Sequence, residues 1–192
     1  MKNYTFIFIF FSLLIVSCDK EVMNKIIFIP DEQDPYLPAY TEWGYNSFGA
    51  KYGSDYFLVS MSEYIKPCRI WYGNHQFQFE LRGTIDNGEE MRLLFAFPSE
   101  PVTEYKDLVK LPKEPIILSD SNGCKAWINY TQLQDLNGKL HFKRVQLLRI
   151  DGTMERAIIS GTFELNFTKN GVNETISNGR FDLGITNKEI FR

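Results

Sequence analysis

The sequence predicts an all-β fold, an antiparallel meander of about eight to ten strands that forms a β-sandwich. Apolar and polar residues alternate with the period of two that strands show, and no long segment has the 3.6-residue period of a helix. Asparagine or aspartate followed by glycine marks the turns, as in tight hairpins: Asn87-Gly88, Asn122-Gly123, Asn137-Gly138, Asp151-Gly152, Asn170-Gly171 and Asn178-Gly179. An up-and-down, lipocalin-like barrel is the alternative fold.

The hairpin around Asn87-Gly88 has a register that can be derived. A two-residue loop would mix the apolar and polar faces of its strands, whereas a three-residue loop over residues 86–88 keeps them apart. Gly88 then takes the left-handed position of a bulged turn. The cross-strand pairs of this register are Leu81–Leu93, Phe79–Phe95 and Phe77–Phe97.

The C-terminal hairpin needs a bulge. A turn at Asn170-Gly171 pairs apolar residues of the two strands with each other only near the turn. Farther from the turn, one extra residue at Asn178-Gly179 is needed to pair apolar residues again. The predicted pairs are Leu165–Ile176, Gly161–Phe181, Ile159–Leu183 and Ala157–Ile185, so that a phenylalanine ring covers the bare backbone of a glycine. In the preceding strand, residues 140–150, the apolar residues lie first at even and then at odd positions. We therefore expect a bulge near Arg144.

A hairpin at Gly73-Asn74 is expected to carry a polar outer face. A two-residue loop there pairs Tyr72–His75, Trp71–Gln76, Ile70–Phe77, Arg69–Gln78 and Cys68–Phe79. The outer face then consists of Arg69, Trp71, Gln76, Gln78 and Glu80. An exposed indole is unfavourable, so something should cover Trp71. The cover is the side chains around it, the N-terminal segment 26–42, or a bound ligand, and this face is the first candidate binding site.

The N-terminus has the features of a bacterial lipoprotein. A basic start precedes an apolar run that fits a signal peptide and is shorter than the roughly 20 residues of a membrane span. The run ends in Ile15-Val16-Ser17-Cys18, which resembles a lipobox. We expect residues 1–17 to be the signal peptide, Cys18 to carry the lipid, residues 18–25 to form a tether and residues 26–192 to form one all-β domain.

The lipid predicts a location and a first partner. Each buried methylene contributes about 0.8 kcal/mol, so two or three acyl chains on Cys18 would hold the protein at a membrane. We expect anchorage to the outer membrane, on its periplasmic or its cell-surface face. Further partners would be a glycan or another envelope protein.

Two segments carry a resemblance to known proteins. They are residues 44–50, Gly-Tyr-Asn-Ser-Phe-Gly-Ala, and the strand pair that contains residues 161–165 and the residues Asn-Gly-Arg-Phe-Asp at 178–182. Together they resemble a group of small Bacteroidota cell-envelope lipoproteins of unknown function. The resemblance covers the two ends of the chain better than its middle. It implies a β-sandwich-like envelope domain and no activity.

Charge and cysteine content narrow the function classes. The formal charge of −3 provides no basic face for nucleic acid, which is not an expected partner. An exported chain permits a disulfide between Cys68 and Cys124, but spacing alone cannot establish one. The alternative is two small buried hydrophobic residues.

The usual signatures of catalysis are missing. The chain has two histidines, and neither a G-x-S-x-G elbow nor an H-E-x-x-H helix occurs, so we predict no catalytic residues, no metal and no cofactor. Glu89 and Glu90 are strand neighbours that point to opposite faces. A two-carboxylate hydrolase leaves no sequence signature and therefore stays open.

Three functions remain, all of them non-catalytic. The first is a lipid-anchored binding module that captures a glycan or another extracellular ligand. The second is a structural partner in an envelope complex, and the third is a barrel that holds an apolar ligand. For the first function, a loop platform at Trp43 and Tyr45 is the second candidate site beside the face around Trp71.

Overall fold

The structure, a computed structural model, describes residues 25–62, 65–150 and 152–191. The expected signal peptide, the lipidation site Cys18 and the tether up to residue 24 lie outside the described residues. Within the described ranges, no helix is long and apolar enough to cross a membrane.

The described part of the chain is almost entirely β-structure, as the turn pattern predicts. Two short 3-10 helices, Tyr105–Lys110 and Asp120–Asn122, interrupt it. The strands are β1 Ser47–Tyr52, β2 Asp55–Val59, β3 Cys68–Gly73, β4 Gln76–Thr84, β5 Glu90–Pro98, β6 Ile116–Ser119, β7 Lys125–Ile128, β8 Thr131–Gln132, β9 Gln134–Ile150, β10 Thr153–Lys169, β11 Val172–Ile185 and β12 Ile190–Phe191.

All these strands belong to one sheet with the order β6-β9-β10-β11-β1-β2-β4-β5-β7-β8, with β3 between β4 and β12. The sheet is not closed into a barrel, so the lipocalin-like alternative is wrong. It is sandwich-like, because its two halves meet through their inner faces. The ring centroids of Phe79 and Phe181 lie 5.2 Å apart, and those of Phe95 and Phe163 lie 5.5 Å apart.

The β4–β5 hairpin has the predicted register. Leu81 pairs with Leu93, and the Ile85 N–H donates to the Glu89 carbonyl, which leaves a three-residue loop. Gly88 lies in this loop with a φ of +83°. The register follows from the sequence because any one-residue slip would expose a row of buried phenylalanines.

The C-terminal hairpin and its bulge are also confirmed. The structure contains all the predicted pairs, including Gly161 opposite Phe181, and the register shifts where Asn178 adopts a φ of +53°. Strand β9 bulges between His141 and Arg144 along its pairing with β10, as its change of phase predicts.

The turn between β3 and β4 differs from the prediction. Asn74 and His75, not Gly73 and Asn74, form the two-residue loop, with φ angles of +52° and +60°. Asparagine and histidine tolerate the left-handed conformation better than most residues, so the glycine is not needed there. Trp71 therefore pairs with Gln78 rather than Gln76, but each residue keeps its predicted face.

The two cysteines of the described residues do not form a disulfide. Cys68 and Cys124 are both free and buried. Cys68 lies on β3, whereas Cys124 precedes β7, three strands away in the sheet. Three strand spacings are about 14 Å, well beyond the reach of a disulfide. Burial raises the pKa of the Cys68 thiol, which keeps it protonated.

The N-terminal segment covers a different face from the one around Trp71. It lies against β1, β2 and β11. The Arg180 guanidinium on β11 binds Asp31 at 2.5 Å, the Tyr56 hydroxyl on β2 donates to Asp34 at 3.1 Å, and the Lys51 ammonium on β1 lies 3.6 Å from Asp34. Segment 26–42 is therefore not the cover of Trp71.

A single buried carboxylate holds the end of this segment. Asp182, on β11, is 1 % exposed. It accepts hydrogen bonds from the Thr41 hydroxyl (2.5 Å), the Trp43 N–H (3.0 Å), the Gly44 N–H (2.7 Å), the Tyr45 N–H (3.2 Å) and the Ser160 hydroxyl (2.9 Å). The two segments that carry the resemblance therefore meet in space, and Phe48 of β1 also pairs with Phe181 of β11.

Candidate ligand-binding face

The outer face of β3 and β4 contains the side chains that the sequence places there. Arg69 pairs with Glu80, and Trp71 pairs with Gln78, while Gln76 lies at the start of β4 on the same side. The indole of Trp71 is half-buried, and Glu80 is only 8 % exposed. The predicted constellation thus exists as one surface.

Two further strands extend this surface. The pairing continues from Glu80 to Leu94 on β5 and from Leu94 to Trp127 on β7. Arg82 similarly faces Arg92. The row from β3 to β7 covers three strand spacings, or about 14 Å. We call this surface, made by the outward residues of β3, β4, β5 and β7, the aromatic–arginine face.

A cleft of about 180 Å³ opens on the aromatic–arginine face. It is lined by Glu80, Arg92, Leu94, Trp127 and Tyr130. Its walls are therefore aromatic and aliphatic, with one carboxylate and one guanidinium among them. Sites for small ligands share this mixture of apolar walls and a few polar groups, but they are usually larger, at roughly 300–1,000 Å³.

The carboxylate of Glu80 is incompletely satisfied. Its Oε1 atom is buried and accepts no hydrogen bond from the described residues, although Arg82 Nε lies 3.5 Å away. A buried carboxylate oxygen without a donor is unfavourable until a water molecule or a ligand supplies one. Glu80 therefore brings a carboxylate that can accept a further hydrogen bond to the lining of the cleft.

The rim of the cleft is held in a strained backbone conformation. Asn129 and Tyr130 form the turn between β7 and β8 with φ angles of +47° and +71°. The Asn129 side chain fixes the turn to β5, because it accepts from the Arg92 N–H at 2.8 Å and donates to the Glu90 carbonyl at 3.3 Å. Left-handed backbone is unfavourable for residues other than glycine, so this turn holds Tyr130 at the rim at some cost in stability.

Arginine and tyrosine contact each other at this rim. The guanidinium carbon of Arg92 lies 5.3 Å from the centroid of the Tyr130 ring, and the guanidinium donates to the tyrosine hydroxyl. Tyr130 nevertheless remains 78 % exposed. The pair is prearranged to meet a ligand with both an apolar surface and polar groups.

The arginines of this face influence one another. Burial, together with the neighbouring charges of Arg69 and Arg92, lowers the pKa of Arg82, while Glu80 and Glu90 act in the opposite direction. The guanidinium groups of Arg69 and Arg92 therefore both lie close enough to Arg82 to repel its charge. An anion bound next to these arginines would reduce this repulsion.

The second predicted site is elsewhere. Trp43 is 71 % exposed, and Tyr45 is half-buried beside it. Both belong to the segment that Asp182 holds on β11, on the outer face of the opposite half of the sheet. The structure therefore does not join the Trp43–Tyr45 loop to the aromatic–arginine face.

A wider cleft of about 350 Å³ lies on that opposite half, but its charged groups already have partners. Arg180 binds Asp31, Lys139 lies 3.9 Å from Glu164, and the ring Nε2 of His141 is 3.0 Å from the Lys113 carbonyl. In the described part of the chain, no group of three or more histidines, cysteines or acidic residues could hold a metal.

Five residues of the aromatic–arginine face are absent from the sequence prediction: Arg82, Arg92, Leu94, Trp127 and Tyr130. The correct β4–β5 register already implies that Arg82 faces Arg92. Alternation in β7 also places Trp127 outward, between two buried residues. Nothing local predicts that β7 pairs with β5, because a long connection separates the two strands.

Comparison with protein-family models, with curated proteins and with solved structures gives no match.

Proposed function

We propose that this chain is a non-catalytic, lipid-anchored protein of the cell envelope that captures a glycan on its aromatic–arginine face. The observation that carries the proposal is the cleft that combines Trp127 and Tyr130 with the buried carboxylate of Glu80. Sugar rings present apolar C–H surfaces that stack on aromatic rings, and hydroxyls that donate to carboxylates. The three groups offer both kinds of contact within one cleft.

The location in this proposal rests on the N-terminal sequence. Cys18 follows the apolar run after one residue, Ser17, and the resemblance to Bacteroidota lipoproteins implies a domain of the cell envelope. A lipid-held binding protein would concentrate a glycan at the cell envelope. The structural-partner function remains the alternative and requires no small ligand.

Lipidation of Cys18 has a direct test. Intact-mass analysis of protein extracted from membranes is expected to show a chain that starts at Cys18 and carries the additional mass of acyl chains. Cys18→Ser should leave the protein unprocessed and without acyl mass, because serine has no thiol for the lipid. A mature protein that begins at another residue, or that has no acyl mass, would contradict the anchor.

Glycan capture is tested by an array experiment on the full chain purified in detergent. We expect binding to one class of polysaccharide, and we expect Tyr130→Ala to weaken it about tenfold through the lost stacking, which corresponds to about 1.4 kcal/mol. Glu80→Gln should weaken it at least as much, because hydrogen bonds to a charged group are worth about 1.5–3 kcal/mol. Circular dichroism should show an unchanged fold for both variants.

The matched control is Trp43→Ala. It removes an exposed aromatic ring from the opposite half of the sheet and should leave glycan binding unchanged. If Trp43→Ala abolishes binding while Tyr130→Ala does not, the site is the Trp43–Tyr45 loop. If the chain binds no glycan at all, the proposed function is wrong.

A further inference from the structure

The aromatic–arginine face has the opposite charge to the chain as a whole. The full sequence has a formal charge of −3. On this face, Arg69 and Arg92 each interact electrostatically with Arg82, and Glu80 and Glu90 are the acidic groups that act on Arg82. The local excess is therefore positive on an acidic protein.

A fourth cation belongs to the same face. Lys125 pairs with Ala96 on β5, and Ala96 pairs in turn with Gln78 on β4. Its side chain is exposed and points outward, because the next residue, Ala126, is buried in the core. Lys125 thus lies two residues before Trp127 on the same side of β7.

Two of these cations have no acidic partner. Arg92 contacts the ring and hydroxyl of Tyr130, and among the described residues no carboxylate lies within 4.0 Å of its guanidinium. The same holds for Lys125, whereas Arg82 is already engaged by Glu80. Two cations on either side of Trp127 are therefore available to an anionic ligand.

We infer that the ligand of the aromatic–arginine face is an acidic glycan, a polymer that contains uronic acid units. This inference rests on the proposed function and narrows it. The uronate carboxylates pair with Arg92 and Lys125, since a guanidinium matches a carboxylate in a two-point contact. The sugar rings stack on Trp127 and Tyr130, and a ring hydroxyl donates to the carboxylate of Glu80.

The position of Glu80 is compatible with an acidic ligand on the aromatic–arginine face. Glu80 lies at the base of the cleft beside Arg82, so the uronate carboxylates are kept away from it and directed to Arg92 and Lys125 at the edges. A hydroxyl, which is a donor, meets the buried acceptor instead. Charge complementarity of this kind sets orientation and selectivity.

The test compares acidic polymers with their neutral counterparts. Polygalacturonate, alginate and hyaluronan, each paired with its carboxyl-reduced form, are titrated into the full chain by calorimetry. We expect at least one acidic polymer to bind about tenfold or more tightly than its reduced form. We also expect this preference to shrink as salt rises, because exposed charges are screened.

Arg92→Gln and Lys125→Gln should each reduce the ratio of the two affinities about tenfold without changing the fold. Arg144→Gln is the matched control, because Arg144 is an exposed arginine on the opposite half of the sheet with its own partner, Glu42. It should leave the ratio unchanged. Because Lys125 is exposed, its variant keeps the test valid even if Arg92→Gln folds poorly.

The outcomes separate this inference from the proposed function. Equal binding of an acidic polymer and its reduced form overturns the preference for acid but leaves glycan capture standing. If none of the three acidic polymers binds but a neutral glycan on the array does, the preference for acid is likewise wrong and glycan capture still stands. Absence of binding to every acidic and neutral glycan overturns both.

Discussion

Replacement of Asp182 by asparagine is expected to lower the free energy of unfolding by about 3–5 kcal/mol. The buried carboxylate accepts three backbone N–H groups of residues 43–45 and the hydroxyls of Thr41 and Ser160. An amide has one oxygen in place of two, and its NH₂ group would face N–H donors. Several hydrogen bonds to a charged acceptor would be lost, and the donors would remain buried.

Chemical denaturation monitored by tryptophan fluorescence measures this loss. Thr41→Val is the matched control, because it removes one hydroxyl from the same cluster and leaves the carboxylate and the backbone contacts. It should cost about 1–2 kcal/mol. If Asp182→Asn costs no more than Thr41→Val, the carboxylate does not hold the N-terminal segment.

Gly161→Ala is expected to destabilise the protein by about 3 kcal/mol. A Cβ atom at this position would lie 2.0 Å from the His141 carbonyl oxygen and 2.6 Å from Cζ of Phe181. The first neighbour is backbone in β9, which cannot withdraw without disturbing the bulge there. The second is a buried ring in the contact between the two halves of the sheet.

Thermal unfolding of Gly161→Ala alongside Gly73→Ala tests this expectation. Both glycines lie in strands, but a Cβ atom on Gly73 would meet only Gln78 Nε2, at 3.7 Å. Gly73→Ala should leave stability unchanged or raise it by about 0.4–1 kcal/mol, because alanine restricts the unfolded chain. Equal midpoints for the two variants would show that Phe181 does not pack on Gly161.

Local registers were predictable where a row of large apolar side chains must stay buried. In the β4–β5 hairpin, any one-residue shift from the pairing of Leu81 with Leu93 exposes phenylalanine. The predicted pairing of β3 with β4 was wrong, because the two-residue loop lies one residue later than predicted. Gly73, Asn74 and His75 can all occupy the turn. A row with fewer aromatic residues leaves the turn less constrained.

Only the part of the candidate site on β3 and β4 was predictable from the sequence. Alternation along β3 and β4 placed Trp71 and Glu80 on one outer face. The cleft itself needs Trp127 and Tyr130, which reach Glu80 through the pairing of β5 with β7. That pairing joins segments that no short turn connects, so no local signal indicates it.

The sequence by itself determined the all-β class, the registers of the β4–β5 and β10–β11 hairpins and the faces of their residues, because these depend on short turns and on burial of one face. Only the tertiary structure decided which hairpins are neighbours. Asp182 holds the end of the N-terminal segment on β11, so that residues 26–42 do not lie on the face around Trp71. Such choices depend on contacts between residues far apart in the chain, whose geometry exists only once the two halves of the sheet have packed together.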